Sequence, residues 1–356
     1  MNKLKVCFLI AGFGQGGAQK QCILLLNELQ RRDDIELHLI YSYEDINFPE
    51  LDQKNIYLYK VDINSAYDPR NIGKIGQILK EISPDIAFSW LQAFDVYMFF
   101  SRKYVPNCKW IVAERDSHYP FDFRFLLRRV LCSHADMIIC NSNKGRLYWL
   151  NNNVADNNLS VVSNILSIGE GKVVDSIKGN PIVLFAGRLE TQKNVVNVLS
   201  AFIRLADLYP EGVFVIVGSG SLQPNLQTMI DCSNVANQLL IFPFMKNIED
   251  FFETADVFVN ISLHEGMPNT VIENIAKNKK IVVSKIDEHI SLLGHEYPFY
   301  VSNSQDVSEI TDVVSAILEA KSIDEFLKHA RSTLVNMDAN LVAENYFSLF
   351  KKVVNV

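Results

Sequence analysis

Two acidic residues, Glu265 and Glu273, flank a Gly-Met-Pro turn and the start of an apolar helical pattern in the stretch SLHEGMPNTVIENIA. Backbone amides at a helix start bind phosphate, and carboxylates accept hydrogen bonds from sugar and ribose hydroxyls. A capping box of Thr270 and Glu273 is the alternative, and it explains the second acid as a helix-start stabiliser. It leaves Glu265 and the turn unexplained, so the stretch favours a site for a sugar and a phosphate group.

Two cations follow a predicted strand in LFAGRLETQKN, where Arg188 ends the strand and Lys193 stands where a helix should begin. Placed beside a helix start, they could neutralise a diphosphate without a metal ion, Arg188 through its planar fork and Lys193 as a mobile charge. A solvated surface turn is the alternative. The next strand ends in Gly218-Ser219-Gly220, which is either a plain turn or a further source of amides for an anion.

The first loop, AGFGQGGAQKQ, places Gly12, Gly14 and Gly17 at the G-x-G-x-x-G spacing of a dinucleotide site. An acidic pair, Glu44 and Asp45, follows the second strand candidate, but later than the spacing of about 20 residues that an NAD site requires. A tight strand-to-helix turn explains the glycines equally well.

Composition indicates a globular chain of 356 residues, 48% hydrophobic and 21% charged, which is long enough for two domains. The net charge of -7 argues against a general nucleic-acid binder, and the acidic excess lies in the second half of the chain. No apolar run reaches the roughly 18 residues of a membrane span. The six scattered cysteines indicate reduced thiols in a cytoplasmic protein without a zinc site.

Strand patterns alternate with helical patterns along both halves of the chain, which predicts parallel α/β sheets. The polar stretch NILSIGEGKVVDSIKGNP is the natural linker. We therefore predict two Rossmann-like domains facing each other across a cleft. The first covers residues 1–168, the second covers 177–338, and a C-terminal helix at about 339–356 packs back onto the first domain.

These motifs resemble those of a known enzyme family. HEGMPNTVIE resembles the E-x7-E signature of family 4 of the retaining GT-B glycosyltransferases, GRLETQKN resembles the Arg/Lys motif of that family, and GGAQKQ resembles its N-terminal glycine loop. The resemblance covers essentially the whole chain, with the motifs in the expected order and spacing. It implies a GT-B fold and transfer of a sugar from a nucleotide sugar, more often UDP than GDP, to a glycan or lipid-linked glycan.

The resemblance also implies residue roles. Glu265 would hold the donor sugar, while Arg188 and Lys193 would stabilise the charge on the departing diphosphate, with no metal ion and no cofactor. No dedicated base is implied, because a leaving-group phosphate oxygen takes the proton of the acceptor. The donor-binding positions it implies, with Gly218 added from the turn above, are Gly16, Gly17, Gly218, Gly266, Met267, Pro268, Asn269, Thr270, Val271 and Glu273.

The acceptor side is predicted on the first domain. Many relatives place a histidine after its fifth strand, where this chain reads VAERDSHYPFD, so Arg115, Asp116 and His118 are the candidates, each of which also fits an ordinary surface loop. The following FDFRFLLRRVL mixes basic and aromatic residues and suits an anionic membrane surface. A helix with a packed apolar face and solvated arginines is the alternative. We expect a cytoplasmic protein with peripheral attachment to the inner face of the membrane.

Two other functions fit the same fold. A sugar-nucleotide epimerase would need acid and base residues that the sequence does not group together. A non-catalytic sugar-nucleotide-binding protein would have no need for both acids and both cations.

Overall fold

The computed structural model describes residues 3–63, 68–116, 119 and 122–355, and within them the chain forms two compact units. The first unit comprises Met1–Ile165 and Asn336–Val356, and the second comprises Leu166–Val335. Each unit is a parallel sheet with helices between most successive strands. This is the predicted α/β class of two Rossmann-like domains.

The first unit holds a seven-stranded sheet in the order β3-β2-β1-β4-β5-β6-β7. Its strands are β1 (Leu4–Gly12), β2 (Ile35–Tyr43), β3 (Ile56–Lys60), β4 (Ile86–Trp90), β5 (Lys109–Glu114), β6 (Met137–Cys140) and β7 (Leu159–Val161). Its helices are α1 (Gly17–Leu29), α2 (Arg70–Ile82), α3 (Gln92–Ser101), α4 (Phe123–Cys132), α5 (Asn143–Leu150) and, from the end of the chain, α13 (Ala339–Val354).

Both faces of this sheet are buried, and β1 shows why. Its side chains alternate, so that Val6, Phe8 and Ile10 enter one apolar cluster while Cys7 and Leu9 enter the other. Because successive side chains of a strand point to opposite faces, the unbroken apolar run from Val6 to Ile10 requires apolar cover on both sides. The C-terminal helix α13 packs against α1 and contributes to the first of these clusters.

The second unit holds a six-stranded sheet in the order β10-β9-β8-β11-β12-β13. Its strands are β8 (Ile182–Ala186), β9 (Val213–Val217), β10 (Leu239–Phe242), β11 (Val257–Asn260), β12 (Lys280–Ser284) and β13 (Tyr300–Val301). Its helices are α6 (Val195–Leu208), α7 (Gln223–Asp231), α8 (Ile248–Thr254), α9 (Asn269–Ala276), α10 (Asp287–Leu293), α11 (Val307–Glu319) and α12 (Lys328–Leu334).

Each sheet reverses its winding direction once, between β1 and β4 in the first unit and between β8 and β11 in the second. Ligands of such sheets bind beyond the carboxyl ends of the strands at this reversal point. In the second unit, the loops concerned are those after β8 and β11. These two loops carry the cations and the acid that the sequence singled out.

Helix α4 corrects the interpretation of its basic and aromatic sequence. Arg128 is only 4% exposed, and its guanidinium donates hydrogen bonds to Asp95 (2.6 Å) and Glu114 (2.9 Å), both also buried. Phe123 and Val130 are exposed by 72% and 52%. The helix therefore buries one arginine in an ion network, which neither sequence-based interpretation described, and leaves apolar side chains in solvent, which the alternative of a packed apolar face with solvated arginines did not describe.

Two further features concern the whole chain. Five of the six cysteines are buried, Cys232 is exposed, and all six are free thiols. Among the residues that the structure describes, no helix combines the length and the apolar character that crossing a bilayer demands.

Candidate functional site

The site in the second unit begins in the loop after β8. This loop runs through Gly187 and Arg188 into a short 3-10 turn, Thr191–Lys193, and Asn194 then takes a left-handed conformation (φ 54°) before α6 begins. Asparagine tolerates that conformation better than most residues, and here it turns the chain from the 3-10 turn into the helix. Arg188 therefore lies two residues after the end of the strand and Lys193 two residues before the helix, close to the positions predicted from the sequence.

Lys193 contacts the acid that comes from the other loop. Its Nζ lies 2.5 Å from Oε1 of Glu265, and the side chains are only 14% and 6% exposed. Burial would raise the pKa of Glu265, but the charge and hydrogen bond of Lys193, supported by Ser262, outweigh it and hold the pKa below its ordinary value. The site therefore contains a buried, ionised pair between two residues that the sequence assigned to opposite parts of a donor substrate.

A hydrogen-bonded layer supports the Glu265 loop from behind. The hydroxyl of Ser284 donates to the carbonyl of Ser262 (2.6 Å), and Nδ1 of the fully buried His289 lies 2.8 Å from the carbonyl of Ser284. Because a carbonyl can only accept, Nδ1 carries the proton. Burial lowers the pKa of His289, so the ring is neutral near pH 7. Its Nε2 has no hydrogen-bond partner among the described residues.

Gln192 connects the two loops directly. Its side-chain Nε2 donates to the carbonyl of His264 (2.9 Å), and its own carbonyl accepts from the amide of Leu263 (2.9 Å). Its Oε1 also accepts from Nη2 of Arg188 (2.6 Å). One residue thus holds the exposed arginine and joins its turn to the loop of Glu265.

The predicted helix after the Gly-Met-Pro turn is α9, but the capping-box interpretation of Thr270 and Glu273 is wrong. The helix begins at Asn269 after Pro268, without a side-chain cap. Thr270 is therefore already inside the first turn, where it cannot serve as the N-cap residue. Glu273 is partly exposed on the first turns of α9, and the amide of Val271 donates to the carbonyl of Pro268 (3.0 Å).

Gly218 has a steric reason to be glycine. Its φ is +154°, and an added Cβ would lie 1.9 Å from the carbonyl oxygen of Gly187 in the Arg188 loop. Its amide donates to the carbonyl of Phe242 (3.0 Å) and so already has an acceptor. The turn after β9 therefore packs tightly against the cation loop, and a donor contact at Gly218 stays a prediction.

The glycine loop of the first unit follows β1 at the other reversal point. Gly16 is the N-cap residue of α1, which begins at Gly17. The side chain of Asn47, itself buried, donates to the carbonyl of Gly14 (2.6 Å). Across the reversal point, Leu91 follows β4 with φ +77°, which is strained for a branched side chain. Backbone strain of this kind is concentrated at functional sites.

The acceptor-side candidates have separate surroundings. The guanidinium of Arg115 lies over the ring of Trp90, 3.9 Å from its centroid, and donates to Asn164 (3.0 Å) and to the hydroxyl of Tyr346 (2.6 Å). The amide of Asp116 donates to Glu114 (3.0 Å). His118 lies outside the described residues. Arg115 therefore has a packing role within the first unit, joining β5 to α13.

Sequence reasoning missed the residues that position the site. Gln192 directly precedes Lys193 on a tight turn. Its amide side chain could have indicated a link between this turn and the neighbouring loop of Glu265. Ser284 ends β12 and Ser262 lies just after the neighbouring strand β11, which also predicts their proximity. Nothing in the sequence singles out His289, because a histidine on a short helix is as often exposed as buried.

Comparison with known proteins adds family information. Residues 171–333 match the family model described as Glycosyl transferases group 1. The chain is 29% identical to an Escherichia coli UDP-Gal:alpha-D-GlcNAc-diphosphoundecaprenol alpha-1,3-galactosyltransferase over 48% of its length, and it spans about half of that relative (46%). It is 24% identical over 99% of both chains to a Campylobacter jejuni alpha-1,4-N-acetyl-D-galactosaminyltransferase whose named acceptor is a diNAcBac-PP-undecaprenol glycan.

A solved structure shows the same fold. HepE of Anabaena, in complex with UDP and glucose, superposes with a TM-score of 0.83 at 16% identity, covering 98% of this chain and 99% of that one. The fold is therefore GT-B, as predicted. Together with the sequence matches, it supports a GT-B glycosyltransferase.

Proposed function

We propose that this chain is a retaining family 4 glycosyltransferase that moves a sugar from a nucleotide sugar, most readily a UDP-sugar, to a glycan or lipid-linked glycan in cell-surface polysaccharide assembly. The observation that carries the proposal is the meeting of Lys193 and Glu265 at the reversal point of the second sheet, with Arg188 held beside them. The named substrates of the relatives, undecaprenol-linked glycans, suggest the class of acceptor.

The chemistry follows from the charges. Breaking the bond between the sugar and the diphosphate leaves negative charge on the phosphate, and Arg188 and Lys193 would stabilise that charge as it develops. Two protein cations can supply the positive charge that a metal ion would otherwise bring to a diphosphate, so we propose a metal-independent enzyme without a cofactor. A leaving phosphate oxygen would take the proton of the acceptor on the same face, with retention of the anomeric configuration.

Glu265 is suited to hold the sugar because its carboxylate is buried and ionised. When Lys193 turns to the diphosphate, the carboxylate would accept hydrogen bonds from sugar hydroxyls in place of the ammonium. Glu273, one helical turn into α9, would accept from ribose hydroxyls.

A thermal-shift panel of UDP-, GDP- and dTDP-sugars tests the donor. A bound donor raises the melting temperature by an amount set by its concentration relative to its dissociation constant. We expect UDP-sugars to give the largest rise, and a panel without any rise would refute donor binding. With the donor identified, Lys193→Ala should lower kcat far more than it weakens binding of the intact donor. Activity that needs an added divalent ion would contradict the metal-independent part of the proposal.

We further propose peripheral attachment to the cytoplasmic face of a membrane through α4. Phe123, Leu126 and Val130 share one side of this helix and are exposed by 72%, 39% and 52%. Arg124 and Arg129 flank them and suit anionic headgroups. The triple change of these apolar residues to serine should abolish flotation with vesicles containing phosphatidylglycerol. The control is Leu208→Ser, which alters an apolar side chain of α6 that is 61% exposed.

A further inference from the structure

Gln192 occupies the middle of the 3-10 turn between the two cations of the site. Gln192 takes part in three hydrogen bonds. Its Oε1 accepts from Nη2 of Arg188 (2.6 Å), its Nε2 donates to the carbonyl of His264 (2.9 Å), and its main-chain carbonyl accepts from the amide of Leu263 (2.9 Å). Both ends of the side-chain amide are therefore used. Arg188 is held on one side and the loop that carries Glu265 on the other.

Arg188 needs such a partner. It is exposed, and the long side chain of an arginine has considerable rotamer entropy to lose on ordering. A guanidinium that must be ordered when the transition state forms loses part of its stabilising effect to that ordering. A guanidinium that is already ordered does not.

We propose that Gln192 is a positioning residue, which fixes Arg188 relative to the Glu265 loop for its contact with the departing diphosphate. The inference rests on the proposed function, since it assigns Arg188 its role there. It adds a neutral residue to a site otherwise described by its charges.

The neutrality of Gln192 matters when the donor binds. Under the proposed function Lys193 turns from Glu265 to a phosphate, so the ion pair at 2.5 Å would not hold the two loops together throughout the reaction. The bond from Gln192 to His264 and the bond from Leu263 to Gln192 involve no ionised group of the pair and can persist. The Thr191–Lys193 turn can thus stay joined to the Glu265 loop while Lys193 exchanges Glu265 for the diphosphate.

The test is a double-mutant cycle. Gln192→Met keeps the length of the side chain but removes both polar ends, and we expect kcat/KM to fall about 10- to 100-fold, as for the loss of a hydrogen bond to a charged group. Most of the loss should be in kcat. In an Arg188→Ala background the same change should cost much less, because only the lost bond to His264 remains to be felt. Equal losses in both backgrounds would overturn the proposal.

A matched control is available in the same unit. Nε2 of Gln238 donates to the carbonyls of Tyr209 and Gly212, both at 2.9 Å, in a loop that does not contain the site residues. Gln238→Met removes similar glutamine–carbonyl bonds and should leave kcat unchanged. If Gln192→Met fails to fold, Gln192→Asn retains the amide but not its reach, and the same cycle can be run with it.

A second readout does not depend on activity. The Nε–Hε group of Arg188 can be followed by NMR relaxation, and its order parameter should fall in Gln192→Met but not in Gln238→Met. An unchanged order parameter would contradict the positioning role even if the wild type proved to be an active transferase. A fall in the order parameter with no turnover of any nucleotide sugar would sink the proposed function alone.

Discussion

Replacing Lys193 by methionine should destabilise the ligand-free protein through Glu265. Removing one partner of a buried ion pair costs about 3–5 kcal/mol, because the remaining charge is left without compensation. The pair is 14% and 6% exposed, so water reaches it slightly, and we expect the lower end, about 3 kcal/mol. For a unit of the size of Leu166–Val335 this corresponds to a fall in melting temperature of about 6–12 °C near neutral pH.

The pH dependence of this loss identifies its cause. In the wild type the pKa of Glu265 lies below its ordinary value of 4.5, so its stabilising contribution is complete above that value and is lost as pH falls through the folded-state pKa. Without Lys193, burial dominates and the pKa should rise above the ordinary value. The variant then loses stability as pH increases. The difference in the free energy of unfolding between the wild type and Lys193→Met should be small near about pH 4.5 and increase towards about pH 7.5.

Lys277→Met is the matched control, measured by thermal unfolding across the same pH range. Lys277 contacts Glu253 at 2.6 Å, but the side chain of Glu253 is 34% exposed, so water can solvate the carboxylate that remains. We expect Lys277→Met to lower the free energy of unfolding by about 1 kcal/mol or less, and this difference from the wild type should hardly change over the same pH range. The idea that Lys193 compensates the buried charge of Glu265 would be refuted by either of two results. One is a stability difference between Lys193→Met and the wild type that does not change with pH, and the other is a Lys193→Met variant as stable as the wild type at neutral pH.

Three further predictions concern residues around the site and the core. Burial lowers the pKa of His289, so the stability that its neutral ring contributes is complete above about pH 6.5 and is lost as pH falls. Between about pH 7 and pH 5.5, the melting temperature of His289→Gln should therefore fall by less than that of the wild type. Arg128→Met leaves Asp95 and Glu114 without their shared cation and should cost about 3–5 kcal/mol in urea unfolding. Gly218→Ala should lower the melting temperature, whereas Gly73→Ala, inside α2 with its nearest neighbour at 3.9 Å, should raise stability by about 0.5–1 kcal/mol.

The architecture could be predicted because strand and helix patterns are local. β1 reads as a buried strand from its own nine residues, and the glycine and cation loops follow their strands directly. The prediction of a GT-B fold is confirmed, and that of a glycosyltransferase is supported by the relatives. The domain boundaries were expected at 168 and 177, and the units divide after Ile165.

The charged interior could not be predicted in the same way. Arg128 lies in a run with Arg124 and Arg129, and only the structure shows that α4 directs it to Asp95 and Glu114. The pairing partners are 33 and 14 residues away along the chain. The start of α9 was ambiguous for a different, local reason: the spacing of Thr270 and Glu273 offered a capping box as an alternative, whereas Pro268 stands at the N-cap position and the helix begins at Asn269.

The ion pair of the ligand-free site sets a condition on donor binding under the proposed function. Lys193 exchanges a carboxylate for a diphosphate and keeps an anionic partner throughout, whereas Glu265 exchanges an ammonium for neutral hydroxyls and loses its counter-ion. A nucleoside diphosphate without its sugar would leave Glu265 buried with neither partner, while the complete nucleotide sugar supplies hydroxyl donors at that moment. Recognition of the sugar and recognition of the diphosphate are therefore coupled through one contact, and the site should select the intact donor over the spent nucleotide.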